Sequence, residues 1–196
     1  MRTIKPLVLA SRSPRRVILL RQIGFEPMVI PSDASEEFDS SLSPSENALL
    51  LAQRKAVDVA GKVEDAFVIG ADTIVAIDGR MLGKPADAAE AVRMLEMLSG
   101  RTHTVHTGFA LVDCPSGKSV ADVESTRVTF RKLPVSEIEE YVAGGSPMDK
   151  AGAYGIQDDY GAVFVTRIEG CFYNVVGFPL TKFYTALTAF QREVGR

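Results

Sequence analysis

The stretch Leu7-Val8-Leu9-Ala10-Ser11-Arg12-Ser13-Pro14-Arg15-Arg16 carries the reading of the fold. Four apolar residues closed off by Ser11 and Ser13 read as a short buried strand. Ser13-Pro14 then supplies an N-cap and a proline at the first helical position. The helix runs through Leu19, Leu20 and Ile23, and Gly24 stops it. A buried strand that feeds a helix within three residues is the repeating unit of an α/β protein.

The same alternation continues along the chain. Ser43-Pro44-Ser45-Glu46 is a capping-box pattern opening a second helix that continues to about Ala60-Gly61. Phe67 to Gly70 reads as another buried strand, and Thr73 to Ile77 leads into the tight turn Asp78-Gly79. A third helix spans roughly Ala86 to Leu98, with Ala88, Ala91, Val92, Leu95 and Leu98 on one face and Gly100 after it. Thr102 to Val112 and Val120 to Phe130 alternate as two long strands joined at Pro115-Ser116-Gly117. Ser136 opens a fourth helix that ends at Gly144-Gly145. Ala162 to Ile168 and Phe172 to Val176 read as a hairpin around Glu169-Gly170, and Leu180 to Phe190 as a closing helix. Hairpins among the strand–helix units predict a mixed sheet flanked by helices.

Composition narrows the function classes. The chain has 196 residues, 46% hydrophobic and 24% charged, with a formal net charge of -3. These values fit one globular domain, or two small ones, and exclude disorder as the main state. An acidic balance argues against a bulk nucleic-acid binder, yet leaves room for a local basic pocket. No apolar run approaches the ~18–20 residues of a membrane span. Met1 to Pro6 carries charge, and Leu7 to Ala10 is too short for a signal-peptide core. Cys114 and Cys171 lack metal-type spacing, so a reduced, cytoplasmic protein is expected. There is no Walker A pattern and no glycine-rich dinucleotide fingerprint.

Five places depart from what folding alone selects. Arg15 and Arg16 oppose the macrodipole at the start of the first helix. They read either as a phosphate clamp at a helix N-terminus or as two solubilising arginines. Lys55 falls inside the stripe Ala48, Leu51, Ala52 and Val59, where a lysine either snorkels to water or meets an anion. In Gly70-Ala71-Asp72-Thr73 a carboxylate follows a buried strand. It serves as a base or metal ligand, or else satisfies local backbone donors. In Gly83-Lys84-Pro85, Lys84 follows the Asp78-Gly79 hairpin and either returns towards Asp72 or stays solvated. Asp149 to Gln157 surrounds Tyr154 with small residues, which suits a tight loop against a ligand as well as a structural one. His103 and His106 are spaced i, i+3 in a strand pattern, so they point to opposite faces. Glu36-Glu37 lies in a polar loop, where solvent exposure is the ordinary state.

Taken in order, S-x-S-P-R-R, G-A-D-T, G-K-P and D-K-A-G-A-Y-G-I-Q resemble the Maf family of nucleoside triphosphate pyrophosphatases. The likeness runs from Leu9-Ala10-Ser11 to Asn174-Val175-Val176-Gly177-Phe178-Pro179-Leu180. The last motif resembles the branch acting on dTTP and UTP, and differs from the 7-methyl-GTP branch. The resemblance implies a single domain over residues 1–196, with two lobes around a central cleft and a fold related to the inosine triphosphatase group. It implies hydrolysis between the α and β phosphates, giving a monophosphate and pyrophosphate, with a divalent cation (Mg²⁺ or Mn²⁺) as cofactor. Asp72 matches the proton acceptor. Ser11, Arg15, Arg16, Glu36, Lys55 and Lys84 match the polar site, with Glu36 and Asp72 as metal ligands. Arg15, Thr73 and Gln157 match positions tied to nucleotide choice. The expected partners are the nucleotide and a second copy of the chain, with Phe172, Tyr173 and Phe178 as an apolar face, and neither nucleic acid nor membrane. The resemblance leaves two rivals open: a nucleotide-binding regulator of septation with little turnover, and the same chemistry on another nucleotide, such as 7-methyl-GTP or a modified pyrimidine triphosphate.

Overall fold

The computed structural model describes residues 3–157 and 160–195. The elements run β1 (Leu7–Ala10), α1 (Pro14–Gln22), β2 (Met28–Val29), α2 (Pro44–Ala60), β3 (Phe67–Ile77), β4 (Arg80–Leu82), α3 (Ala88–Leu98), β5 (Thr102–Asp113), β6 (Ser119–Phe130) and α4 (Val135–Ala143). Three short 3-10 segments follow, at Ser146–Asp149, Ala151–Ala153 and Tyr160–Phe164. The chain then forms β7 (Val165–Glu169), α5 (Phe172–Val176) and α6 (Leu180–Val194).

The described strands make one seven-stranded mixed sheet in the order β2-β1-β3-β5-β6-β7, with β4 beside β3. β1 is parallel to β2 and β3, and the remaining pairs are antiparallel. Side chains alternate across a strand, so β3 serves two cores. Phe67, Ile69, Ala71, Val75 and Ile77 join Leu20, Leu95, Phe183 and Leu187 in the larger one. Val68 packs with Ala56 and Val59, and Ile74 with Ala48 and Leu51, so α2 covers the opposite face. That helix lies very close to the sheet. A Cβ added to Gly70 would stand 2.1 Å from the Ala52 carbonyl oxygen, and one added to Gly108 2.4 Å from that of Ala48. Glycine is required at both positions because helix backbone occupies the space.

The start of α2 carries the expected capping box, Ser43 with Glu46. Several expectations need correction. β3 runs unbroken from Phe67 to Ile77, so Asp72 lies inside a strand and not at its end. Its pairing to β5 extends from Phe67 to Ala76 and carries the strand through Gly70. α3 starts at Ala88 behind an Asp87 cap, α4 at Val135 and not Ser136, and α6 runs on to Val194. The hairpin around Glu169-Gly170 does not form. β7 pairs with β6, but Phe172–Val176 is a helical turn. There Asn174 is fully buried, and its amide donates to the Val105 carbonyl and to Thr126 Oγ1, both at 2.9 Å. Those anchors override the strand propensity of Val175-Val176. Phe178 is fully buried, which removes it from any apolar contact face and leaves Phe172 and half-buried Tyr173. No helix among the described residues is long and apolar enough to cross a membrane.

Candidate active site

β1 and β4 share the edge of β3 opposite β5. β1 pairing stops at Ala10–Gly70 and β4 pairing begins at Leu82–Val75. Between them, residues 71–74 of β3 have no strand partner on that edge among the described residues. The C-terminal end of a parallel strand is where open α/β sheets bind ligands, and here the end that matters is that of β1. A cavity of about 830 Å³ opens over this gap. It is lined by all nine residues singled out from the sequence: Ser11, Arg15, Arg16, Glu36, Lys55, Asp72, Thr73, Lys84 and Gln157.

Asp72 and Thr73 are neighbours on opposite faces of β3, so they meet different partners. On the α2 face, Lys55 Nζ donates to Asp72 Oδ1 and to Glu36 Oε1, each at 2.5 Å. Lys55 therefore meets anions and does not snorkel; its side chain is 9% exposed, against 14% for Asp72 and 55% for Glu36. The close seat of α2 on Gly70 and Gly108 brings this lysine down to the strand. Lys84, just past β4, stands 3.6 Å from Glu36 Oε2, so it returns to Glu36. Burial pushes the Glu36 carboxyl up, but Lys55 and Lys84 outweigh it and hold the group below the usual carboxylate range.

On the other face, buried Arg16 donates from Nε to the Gly177 carbonyl at 2.9 Å, from Nη1 to Ser11 Oγ at 3.0 Å and from Nη2 to Thr73 Oγ1 at 3.1 Å. Three of its five N–H groups are thus committed to neutral oxygens. It ties β1, β3 and the end of α5 together, and it retains its charge and two donors. Thr73 Oγ1 also lies 3.0 Å from Thr107 Oγ1, which donates to the Asn174 carbonyl. Arg15 bonds the Asp149 carboxylate at 2.6 Å and its carbonyl at 3.1 Å. Burial raises the Asp149 carboxyl, and Lys150 and Arg15 more than reverse that shift.

Gln157 presents a different situation. Its Oε1 accepts from the Ile156 N–H at 3.2 Å, while its Nε2 is buried without a partner among the described residues. A buried amide donor left unpaired is costly unless something else accepts from it. Sequence reading assigned no role to the Gly177 carbonyl, to Thr107 or to the Asp149 partnership. Only a buried polar residue at an alternating strand position, Thr107, offered a signal. His103 and His106 point to opposite faces as expected, His103 to Tyr154 and His106 to Ser125.

Six basic and four acidic side chains line the cavity, on a chain whose overall charge is negative. A pocket of that sign concentrates anions. Two carboxylates converge from the loop and the strand on one point, now bridged by Lys55 Nζ, and they offer hard oxygen donors. No cluster of three or more metal-type side chains occurs among the described residues. Glu36 and Asp72 are donors of the kind that would hold a hard divalent cation, since such ions are commonly held by one or two carboxylates.

A family model described as Maf-like protein matches residues 6–190. A dTTP/UTP pyrophosphatase of Pelotomaculum thermopropionicum is 49% identical over 97% of this chain and 100% of its own length. A dTTP/UTP pyrophosphatase of Moorella thermoacetica is 50% identical over 96% of each. The solved Ham1 protein of Staphylococcus aureus overlaps at 17% identity, over 64% of this chain and 72% of that one, with a TM-score of 0.46.

Proposed function

This chain belongs to the Maf-like protein family, and we propose that, like the relatives named dTTP/UTP pyrophosphatase, it hydrolyses dTTP and UTP. The cut falls between the α and β phosphates and yields a nucleoside monophosphate and pyrophosphate. The observation that carries this reading is a single cavity in which cationic side chains surround a carboxylate held by a lysine.

Arg15 and Lys84 present guanidinium and ammonium groups to the triphosphate, and Arg16 adds its two uncommitted N–H donors. Glu36 and Asp72 are the residues that would hold a divalent cation. When bound, Mg²⁺ or Mn²⁺ supplies neutralisation of phosphate charge. Asp72 uses Oδ2, which Lys55 does not bond, to accept a proton from the attacking water. The water oxygen bonds to the α-phosphorus as the bond to the bridging oxygen breaks, and that electron pair leaves with pyrophosphate. Lys55 fixes the Asp72 carboxylate and shares the charge it carries. Thymine and uracil present acceptor oxygens, and the unpaired Gln157 amide is a donor suited to them. Both cysteines are free, which supports a reducing, cytoplasmic setting.

The test is pyrophosphate release with Mg²⁺ or Mn²⁺ over a panel of triphosphates, with the monophosphate identified as co-product. Preference for dTTP and UTP is the expected result. Saturable nucleotide binding by folded protein with no product would replace this reading with a binding-only regulator.

A further inference from the structure

We infer that His103 and Tyr154 are positioning residues for base selection: the hydrogen bond between them holds the 151–157 segment and thereby sets where the Gln157 amide lies in the cleft. The inference rests on the reading of Gln157 as a contact to the base. The segment itself has little regular structure. Ala153 sits at φ 62°, a left-handed conformation that alanine adopts only when its surroundings impose it. Gly152, at φ 69°, lies so close to Val75 of β3 that a Cβ would stand 2.9 Å from its Cγ2. Its N–H donates to the Gly83 carbonyl at 3.0 Å. Past that point, the anchor reaching out from the segment is Tyr154, whose hydroxyl lies 2.7 Å from His103 Nε2.

His103 is a rigid support. It stands on β5, a strand paired on both sides, and is almost wholly buried. Its ring, Phe130 and Tyr154 form a cluster of mutual edge contacts, with centroids 4.7 to 5.3 Å apart. Its Nδ1 is buried without a partner. The Tyr154 hydroxyl is therefore the one side-chain hydrogen-bond partner that this ring has among the described residues. Tyr154 lines the cavity three residues before Gln157. The β5–Tyr154 bond therefore fixes the depth of the segment. The Gln157 Oε1 contact to the Ile156 N–H then orients its amide and leaves the buried Nε2 as the donor without a partner. Such a donor matches O4 of thymine or uracil and faces another donor, the N4 amine, in cytosine.

The experiment measures kcat and KM for dTTP and dCTP with Mg²⁺, using the full chain. Tyr154→Phe keeps the ring cluster and removes only the bond. It should lower the dTTP-over-dCTP ratio of kcat/KM roughly three- to tenfold, mostly through the KM for dTTP. His103→Phe should do the same, and His103→Gln, whose amide can either donate to or accept from the Tyr154 hydroxyl, should retain more of the ratio. Gln157→Ala should lower the ratio as well, and adding Tyr154→Phe to it should lower the ratio no further. An unchanged ratio in Tyr154→Phe and His103→Phe, with a lowered one in Gln157→Ala, overturns the positioning role and leaves the base contact standing. Equal losses with and without Gln157 overturn the route through that residue. An unchanged ratio in Gln157→Ala overturns the base contact and the inference together. Melting curves identify any variant that fails to fold, and the His103 substitutions then carry the test from the β5 side.

Discussion

The two faces of β3 are built by opposite means and meet at one peptide bond. On the Asp72 face, α2 lies against glycine and alanine, and what reaches the cavity is full charge: Lys55, Asp72 and Glu36. On the Thr73 face, large aromatic side chains fill the core, and the buried arginine bonds only to neutral oxygens. The β1–β4 gap opens both faces into a single cavity. Strand alternation thus separates a charge-handling wall from a wall of positioned donors and hydroxyls by one residue step. On the proposed function, the first wall carries the base and its lysine, while the second offers Arg16 to the triphosphate and Gln157 to the nucleobase.

The substitution that most sharply tests this division is Asp72→Asn. It leaves Lys55 bonded to Glu36 and should preserve the fold. Turnover should fall by ~10²–10⁴-fold, the usual contribution of a positioned general base. Pyrophosphate release at near-native rate would move the chemistry off the α2 wall. The ratio of dTTP to dCTP activity should barely change in this variant, because the proposed base contact, Gln157, lies on the other wall.

A smaller effect tests the architecture behind the first wall. Gly108→Ala forces a methyl group into helix backbone at 2.4 Å, so α2 must lift from the sheet. Overpacking of this kind costs ~1–3 kcal/mol, or a lowering of the melting midpoint by ~2–4 °C for each kcal/mol in a chain of this size. Gly83→Ala is the control, since its Cβ would meet only Phe38 at an ordinary 3.6 Å. Gly108→Ala should also lose activity by moving Lys55 away from Asp72. Equal melting curves for the two variants would show that α2 is not pinned by the sheet glycines.

Much of this was legible in the chain, for identifiable reasons. The β1–α1 unit, the α2 capping box and the β5–β6 pair follow from local signals: proline at N1, Ser43 with Glu46, and long period-2 alternation. Lys55 stood out because a lysine in an apolar helical stripe needs an anion or water. Which of the two it has found depends on the distance from helix to sheet, and that distance is set by glycines 15 and 53 residues further along. The continuity of β3 through Gly70 and Asp72 was hidden, because the local sequence reads as a turn and the pairing that overrides it comes from β5. The helical turn at Phe172–Val176 was hidden for the same kind of reason: Asn174 is captured by β5 and β6. Local chemistry was readable, whereas partners supplied by distant strands were not.

The smallest expected effect concerns the second wall and its support. Burial, uncompensated by any anion, lowers the His103 imidazole to about 4, from 6.5 for the free group. Between those values the unfolded chain binds a proton that the folded chain refuses. Stability contributed by this residue therefore falls as pH drops through 6.5 and stops falling near 4. Between pH 7.5 and 5.5 the loss amounts to ~1 kcal/mol, since each full unit inside the window is worth ~1.4 kcal/mol. His103→Phe lacks that proton linkage. Its stability relative to the native chain should therefore improve by about this amount over the interval, even where it is lower at neutral pH through loss of the Tyr154 bond. Urea unfolding of both proteins at the two pH values provides the check. A difference independent of pH would mean that His103 takes up its proton in the folded state. The bond to Tyr154 would then be made by an imidazolium, and the second wall would no longer be free of charge beyond its arginines.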